Sequence, residues 1–196
     1  MIRTAALVDI APQPWKNGGG ITRDLLAWPS AADWQLRISV AEVARSGPFS
    51  AYPGVERHFA VVQGAGVVLG FADGPRRLVR GSAPLQFDGA AAPSCELIAG
   101  ETLDLNLLSR QSAGRGAMQA VQRGQAWTDA APLRAVFTAL PATLVMAGRA
   151  VAELPAMSLA WTDAASPAGW CLECAAGAPP QAWWLCYTPN DTPQAR

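Results

Sequence analysis

Histidine is almost absent from this chain, since His58 is the single histidine among 196 residues. This scarcity argues against a metal centre of several imidazoles and a carboxylate, so the sequence predicts neither a metal nor another cofactor. The four cysteines include one Cys-x-x-Cys pair, Cys171 and Cys174, but no second pair completes the ligands of a structural zinc. On a strand these two thiols would point to opposite faces as small hydrophobic side chains.

Charge is also scarce, and long apolar runs are missing. Charged residues make up 15% of the sequence, and 15 Lys and Arg balance 15 Asp and Glu. Scattered basic residues at zero net charge lack the electrostatic footprint of a nucleic-acid or membrane-surface protein. No run reaches the ~18 apolar residues of a membrane span, and the first residues lack the apolar core of a signal peptide. We therefore expect a cytoplasmic protein with reduced cysteines and no nucleic-acid or membrane partner.

Turn-forming residues are abundant, with 18 Gly and 16 Pro. They interrupt short apolar runs every ~8 to 12 residues, and only residues 130–140 suggest a helical period. Residues 64–66, Gly-Ala-Gly between two such runs, predict a hairpin. Further strands are expected over residues 143–147, 157–161, 170–174 and 182–187. The pattern predicts an all-β sandwich or jelly-roll barrel.

The densest group of chemically versatile residues is the segment Pro14-Trp15-Lys16-Asn17-Gly18-Gly19-Gly20-Ile21-Thr22-Arg23. Successive glycines occur where the backbone needs positive φ or where another group approaches it closely. Neither the Gly-Lys-Ser/Thr of a phosphate loop nor the spacing of a dinucleotide fingerprint is present. The segment is therefore either a tight loop before a strand or part of a binding surface.

Two alternating segments place polar residues on one face of a strand. Over residues 34–43 that face holds Arg37 and Ser39, and over residues 103–107 it holds Asp104 and Asn106. In an open sheet these faces would contact solvent, whereas in a barrel they would line a cavity.

The rigid loop of residues 47–54 leads to Arg57 at the start of the next strand. Arg37 and Arg57 are candidates for a carboxylate clamp, because guanidinium groups bind carboxylates in a bidentate manner. Internal pairing of each arginine with Asp104 or Glu42 is the alternative, and the sequence leaves both open.

Four motifs in the same order make the chain similar to the HutD/Ves family. They are Pro14 to Arg23, Trp34 to Ser39, Gly47 to Arg57, and Asp104 to Asn106 followed by Arg110. The resemblance implies a cupin-type double-stranded β-helix, an RmlC-like jelly roll, with two lobes in one chain. We expect this bicupin to divide into residues 1–110 and residues 111–196, with a linker at 111–116. Ser46 and His58 depart from the family pattern, which has an acidic and an aliphatic residue at these positions.

The association of this family with histidine-utilisation genes implies a metal-free cupin that binds a small carboxylate metabolite in an accessory or regulatory role. Formylglutamate, formiminoglutamate and urocanate are the candidate ligands. The motifs offer cations, amides, hydroxyls and an aromatic wall for such a ligand. The candidate ligand-binding residues are Trp15, Lys16, Asn17, Gly18, Gly19, Gly20, Thr22, Arg23, Arg37, Ser39, Phe49, Ser50, Arg57, Asp104 and Asn106.

Two other functions are compatible with the residues. A metal-independent isomerase, epimerase or hydrolase would use Asp104 or Lys16 as a general base and an arginine to stabilise an oxyanion. The motifs contain no histidine and no nucleophile elbow, so we assign no catalytic residue. Alternatively, the Trp-rich second half forms the interface of a homodimer, although tryptophans buried in a core are the commoner explanation.

Overall fold

The computed structural model describes residues 1–164, 166–175 and 181–190, which form eighteen β-strands and two short 3₁₀ turns, Leu7–Asp9 and Gly89–Ala91. The strands are β1 (Arg3–Ala6), β2 (Gln13–Pro14), β3 (Gly20–Trp28), β4 (Leu36–Val43), β5 (Gly47–Pro48), β6 (Val55–Gln63), β7 (Val67–Phe71), β8 (Gly74–Leu78), β9 (Leu85–Asp88), β10 (Ser94–Leu97), β11 (Thr102–Arg110), β12 (Gly114–Ala120), β13 (Leu133–Thr138), β14 (Ala142–Met146), β15 (Arg149–Leu154), β16 (Ser158–Thr162), β17 (Trp170–Cys174) and β18 (Ala182–Pro189). The all-β prediction is confirmed. None of the described residues belongs to a helix with the length and hydrophobicity needed to cross a lipid bilayer.

The strands form four antiparallel sheets. A six-stranded sheet has the order β2-β3-β4-β11-β6-β9, and a four-stranded sheet has the order β5-β10-β7-β8. A five-stranded sheet has the order β1-β16-β13-β18-β12, and a three-stranded sheet has the order β15-β14-β17. Residues 13–110 thus build the first two sheets. Strands after residue 113 build the other two, together with β1, which pairs with β16 through Ala5 and Leu159.

Three apolar clusters hold these sheets together. One cluster joins the six- and five-stranded sheets, because Ile38 and Leu107 pack with Phe137 and Leu185. A second cluster lies between the six- and four-stranded sheets and includes Phe59 and Leu69, and a third, rich in tryptophan, lies between the five- and three-stranded sheets. Alternation along β4 and β11 explains this arrangement, since each strand has one face in the shared cluster and its other face toward the four-stranded sheet.

Three local predictions were wrong. The helical period suggested for residues 130–140 is not a helix, because these residues contain strand β13. This strand is buried on both faces, so its sequence lacks the alternation of polar and apolar residues that would have identified a strand. Residues 64–66 are not a hairpin, because β6 pairs with β9 and β11 whereas β7 pairs with β8 and β10, so the turn leads from one sheet to another. The predicted linker at 111–116 is shorter than expected, because β12 already begins at Gly114.

Candidate functional site

A cavity of about 490 Å³ opens on the face of the six-stranded sheet that carries Ser39 and Asn106. The register of the sheet aligns its side chains in rows that run across the strands. One row holds Arg37, Leu108 and Arg57, and the next row holds Asp24, Ser39 and Asn106. Because side chains alternate along each strand, residues of both rows point to the same side of the sheet. The rows form the floor of the cavity.

The loop before β3 forms one wall of the cavity through Trp15, Lys16 and Asn17. Trp15 Nε1 donates a hydrogen bond of 2.7 Å to Thr22 Oγ1, which fixes the indole against the first residues of β3. Lys16 and Asn17 are exposed at this wall. The loop therefore contributes an aromatic surface, a cation and an amide to the cavity.

The three glycines of this loop do not line the cavity, and their role is to shape the backbone. Gly18 has a φ of +68°, and the Gly19 N–H donates to Asn17 Oδ1 at 3.0 Å. A Cβ atom on Gly20 would collide with the carbonyl oxygen of Glu42, because β3 and β4 approach closely at this point. Glycine is therefore required at Gly18 for its conformation and at Gly20 for space.

Arg57 is the deepest cation of the cavity, and its side chain is almost completely buried. Its Nε and Nη2 donate to the same acceptor, Asn106 Oδ1, at 3.1 and 2.8 Å. Its Cζ lies 4.5 Å from the centre of the Phe49 ring, and burial lowers the pKa of Arg57 to about 10. Within the part of the chain that the structure describes, no carboxylate oxygen lies within 4.0 Å of this guanidinium. The predicted internal pairing with Asp104 is therefore absent as a direct contact.

Asp104 lies behind the cavity and does not line it. Thr102 Oγ1 donates to Asp104 Oδ2 at 2.9 Å, while Oδ1 has no hydrogen-bond partner among the described residues. Burial raises the pKa of Asp104 to about 7, although the hydrogen bond from Thr102 and the charge of Arg57 oppose the increase. Asn106 Nδ2 donates to the backbone carbonyl oxygen of Asp104 at 3.2 Å, so it makes no hydrogen bond to the carboxyl group.

Arg37 lies on the other side of the cavity and has internal partners. Its Nη2 is 3.3 Å from the Tyr52 hydroxyl, and its Nε is 3.7 Å from Asp24 Oδ1. Its Cζ lies 5.1 and 5.5 Å from the ring centres of Trp34 and Tyr52. The carboxylate nearest to Arg37 is therefore Asp24, and the pairing of Arg37 with Asp104 or Glu42 that the sequence left open is not observed. Glu42 instead lies 4.0 Å from Arg23.

The cavity brings most of the sequence-predicted residues together. Those that line it are Trp15, Lys16, Asn17, Thr22, Arg37, Ser39, Phe49, Ser50, Arg57 and Asn106. The predicted residues outside its lining are Gly18, Gly19, Gly20, Arg23 and Asp104. The lining residues that were not predicted are Gln13, Pro14, Asp24, Ala41, Pro48, Tyr52 and Leu108. Asp24 could have been found from its spacing of two residues from Thr22, and Tyr52 from its place in the loop that carries Phe49.

The lining residues do not fit a metal ion. They offer one carboxylate, Asp24, without histidine or cysteine, and they include the cations Lys16, Arg37 and Arg57. No group of three or more His, Cys, Asp or Glu that could hold a metal occurs anywhere in the described ranges. His58 follows Arg57 on β6 and therefore points to the opposite face of the sheet, where burial lowers its pKa.

The HutD family model matches residues 8–177 of the chain. Protein Ves from Citrobacter koseri is 31% identical over 120 residues, which cover 59% of this chain and 63% of that protein. An uncharacterised 21.2 kDa protein of the hutC 3′ region of Pseudomonas putida is 35% identical over 115 residues, covering 57% of this chain and 60% of that protein. The chain thus spans about three fifths of the length of these relatives.

Solved structures resemble the chain over almost all of its length. HutD from Pseudomonas fluorescens SBW25 has a TM-score of 0.83 and 26% sequence identity, covering 97% of this chain and 100% of that chain. Oxalate decarboxylase from Lactobacillus farciminis has a TM-score of 0.62 and 10% identity, covering 95% of this chain and 86% of that chain. The second likeness shows the fold alone, which is all-β and cupin-like.

Proposed function

This chain belongs to the HutD family, and on that premise we propose that it binds a small carboxylate metabolite in the cavity of its six-stranded sheet. We assign it an accessory or regulatory role in histidine utilisation that requires no metal. The pathway assignment is supported by the relatives, one named HutD and one named for the hutC region of Pseudomonas putida. Formylglutamate, formiminoglutamate and urocanate remain the candidate ligands.

The observation that carries the proposal is the environment of Arg57. A guanidinium group that leaves water loses hydration energy, and a nearby anion compensates for this loss. Arg57 has only the neutral amide oxygen of Asn106 as a hydrogen-bond acceptor among the described residues. Its Nη1 donates to none of them, although the residue lines the cavity. A ligand carboxylate at this point would supply both the missing charge and the missing acceptor.

The rest of the cavity is consistent with a small ligand. Its volume of about 490 Å³ lies within the ~300–1,000 Å³ range of small-molecule sites. Trp15 and Phe49 provide aromatic walls, while Ser39, Ser50 and Thr22 provide hydroxyl groups. We expect the hydroxyls to bind polar atoms of the ligand beyond its first carboxylate.

We further propose that the chain is a bicupin whose two jelly-roll lobes correspond to residues 1–110 and 111–196. The separation of the sheets supports this division, because residues 13–110 build two sheets and all the described strands after residue 113 build the other two together with β1. Strand β1 is an exchanged element in this interpretation, since it precedes the first lobe in sequence but pairs with β16.

A metal-independent enzyme is the second candidate function, and the pKa of Asp104 is the observation that favours it. A general base is most effective when its pKa is close to the working pH, and that of Asp104 is about 7. Its carboxyl group, however, does not line the cavity, whereas Lys16 does. Proton NMR of each candidate ligand, incubated with catalytic amounts of protein, would reveal turnover. Turnover that disappears in Lys16→Met would support an enzyme.

Replacing Arg57 with lysine tests the binding proposal. Lysine keeps the positive charge but loses the planar pair of donors. We therefore expect the binding free energy of the carboxylate ligand to become less favourable by about 1–3 kcal/mol. Isothermal titration calorimetry with the three candidate ligands measures this change. Arg115→Lys is the matched control, because Arg115 is exposed on β12 and outside the cavity lining.

Melting curves of the ligand-free variants separate binding from stability. A lower melting temperature with unchanged affinity for every ligand that binds would make Arg57 a structural residue. The same conclusion would follow if Arg57→Lys and Arg115→Lys changed the affinity equally.

A further inference from the structure

Besides its cations, the cavity lining includes one carboxylate, Asp24, on the side opposite Arg57. Asp24 lies on β3 and Arg57 on β6, and β4 and β11 lie between these strands. With neighbouring strands ~4.8 Å apart, their backbones are separated by about 14 Å. Both residues line the cavity, so the two side chains lie at opposite ends of its floor. The cavity therefore has a cationic pole at Arg57 and a second pole at Asp24, whose carboxylate lies beside Arg37.

The Asp24 carboxylate makes few hydrogen bonds for a group that can accept several. Its Oδ1 lies 3.7 Å from Arg37 Nε and accepts no hydrogen bond from the described residues. Its Oδ2 accepts one bond of 3.3 Å from Gln13 Nε2. Oδ1 is buried, but the side chain as a whole is 24% exposed, so a ligand in the cavity can reach Asp24 through Oδ2, which has room for a further hydrogen bond.

Arg37 does not fully satisfy Asp24, because other groups also hold its guanidinium. Arg37 Nη2 donates to Tyr52, and the guanidinium lies near the rings of Tyr52 and Trp34. In turn, the negative charge of Asp24 makes Arg37 a weaker site for an anion than Arg57 is. A carboxylate is thus directed to Arg57, and the vicinity of Asp24 favours a hydrogen-bond donor with positive charge.

From these two poles we infer that the ligand is a carboxylate that also bears a cationic nitrogen group, such as an amidinium. Its carboxylate binds Arg57 and Asn106, and its nitrogen group donates to Asp24. This inference rests on the proposed carboxylate binding and narrows its ligand class. A neutral carbonyl group at the same position would place a hydrogen-bond acceptor against the Asp24 carboxylate. An ionised carboxylate can only accept hydrogen bonds, so the two groups would not pair.

A nearly isosteric pair of probes tests the inference. Formiminoglutamate carries an amidinium where formylglutamate carries an amide oxygen, and the rest of the two molecules is the same. In calorimetric titrations near pH 7 we expect the wild type to bind formiminoglutamate about tenfold more tightly, as a charge-assisted hydrogen bond would predict. Asp24→Asn should weaken formiminoglutamate binding about tenfold and leave formylglutamate binding within about threefold.

Two further variants control for charge and for structure. Asp33→Asn makes the same change of charge at a residue outside the cavity and should alter neither affinity. Asp24→Glu keeps a carboxylate and should retain the preference for the amidinium, provided that melting curves show a folded protein.

Each remaining outcome has a definite meaning. Equal weakening of both probes by Asp24→Asn would show that Asp24 only positions Arg37, and it would overturn this inference alone. A wild type that prefers formylglutamate would also overturn it. If neither probe binds the wild type but urocanate does, this inference alone fails. If none of the three candidate ligands binds, the proposed carboxylate binding fails and this inference fails with it.

Discussion

Replacing Asp104 with asparagine is expected to stabilise the folded protein, and by a larger amount at higher pH. The carboxyl group is completely buried, and its pKa is raised from 3.8 to about 7, mainly by burial. Asparagine has nearly the same shape, can accept the Thr102 hydrogen bond and cannot ionise. The substitution therefore removes the cost of a buried carboxylate while it preserves the packing.

The sign of the effect follows from the protons that each state binds. The unfolded chain releases the Asp104 proton near pH 3.8, whereas the folded protein keeps it up to about pH 7. Between these values the folded state binds more protons, so the stability of the wild type falls as the pH rises. The difference of about three pKa units corresponds to roughly 4 kcal/mol above pH 7 and to roughly 1–2 kcal/mol at pH 5.

Urea denaturation at several pH values measures this prediction. The quantity to plot is the free energy of unfolding of Asp104→Asn minus that of the wild type, since the titration of other groups largely cancels in the difference. Asp33→Asn serves as the control, because Asp33 is exposed and its difference should depend only weakly on pH. A difference that stays constant between pH 5 and pH 8 would refute the reasoning. Destabilisation that grows with pH would show that the ionised Asp104 stabilises the fold through Arg57.

The remaining predictions concern packing. Gly20→Ala should destabilise the protein by about 1–3 kcal/mol, because its Cβ would collide with the Glu42 carbonyl, whereas Gly47→Ala, which meets no atom within 4 Å, should not. Equal melting temperatures of the two variants would contradict this. Arg134→Met should be neutral or stabilising by up to ~3 kcal/mol in urea denaturation, because the buried Arg134 has two nitrogens without acceptors among the described residues, and methionine can still pack on Trp170. A large loss of stability would show that the fold requires the charge of Arg134 or its hydrogen bond of 2.8 Å from Nη1 to the Ala168 carbonyl oxygen.

The sequence by itself determined the all-β fold class and which side chains share a face of an individual strand. Turn residues between short apolar runs indicated an all-β fold, because the backbone preferences of Gly and Pro are local. Alternation over residues 34–43 placed Arg37 and Ser39 on one face, and alternation over residues 103–107 did the same for Asp104 and Asn106. Side-chain direction along a strand has a period of two in any sheet, so this information needs no knowledge of the partner strands.

Only the tertiary structure decided which of these polar residues contact the cavity and which partners they have. Asp104 and Asn106 share a face, but Asp104 lies one row deeper, between Ala41 and Val61, and this position buries it. Arg37 pairs with Asp24 because the register of β3 and β4 brings them together. Register and sheet order depend on hydrogen bonds between residues that are distant in sequence, and a single sequence does not record them.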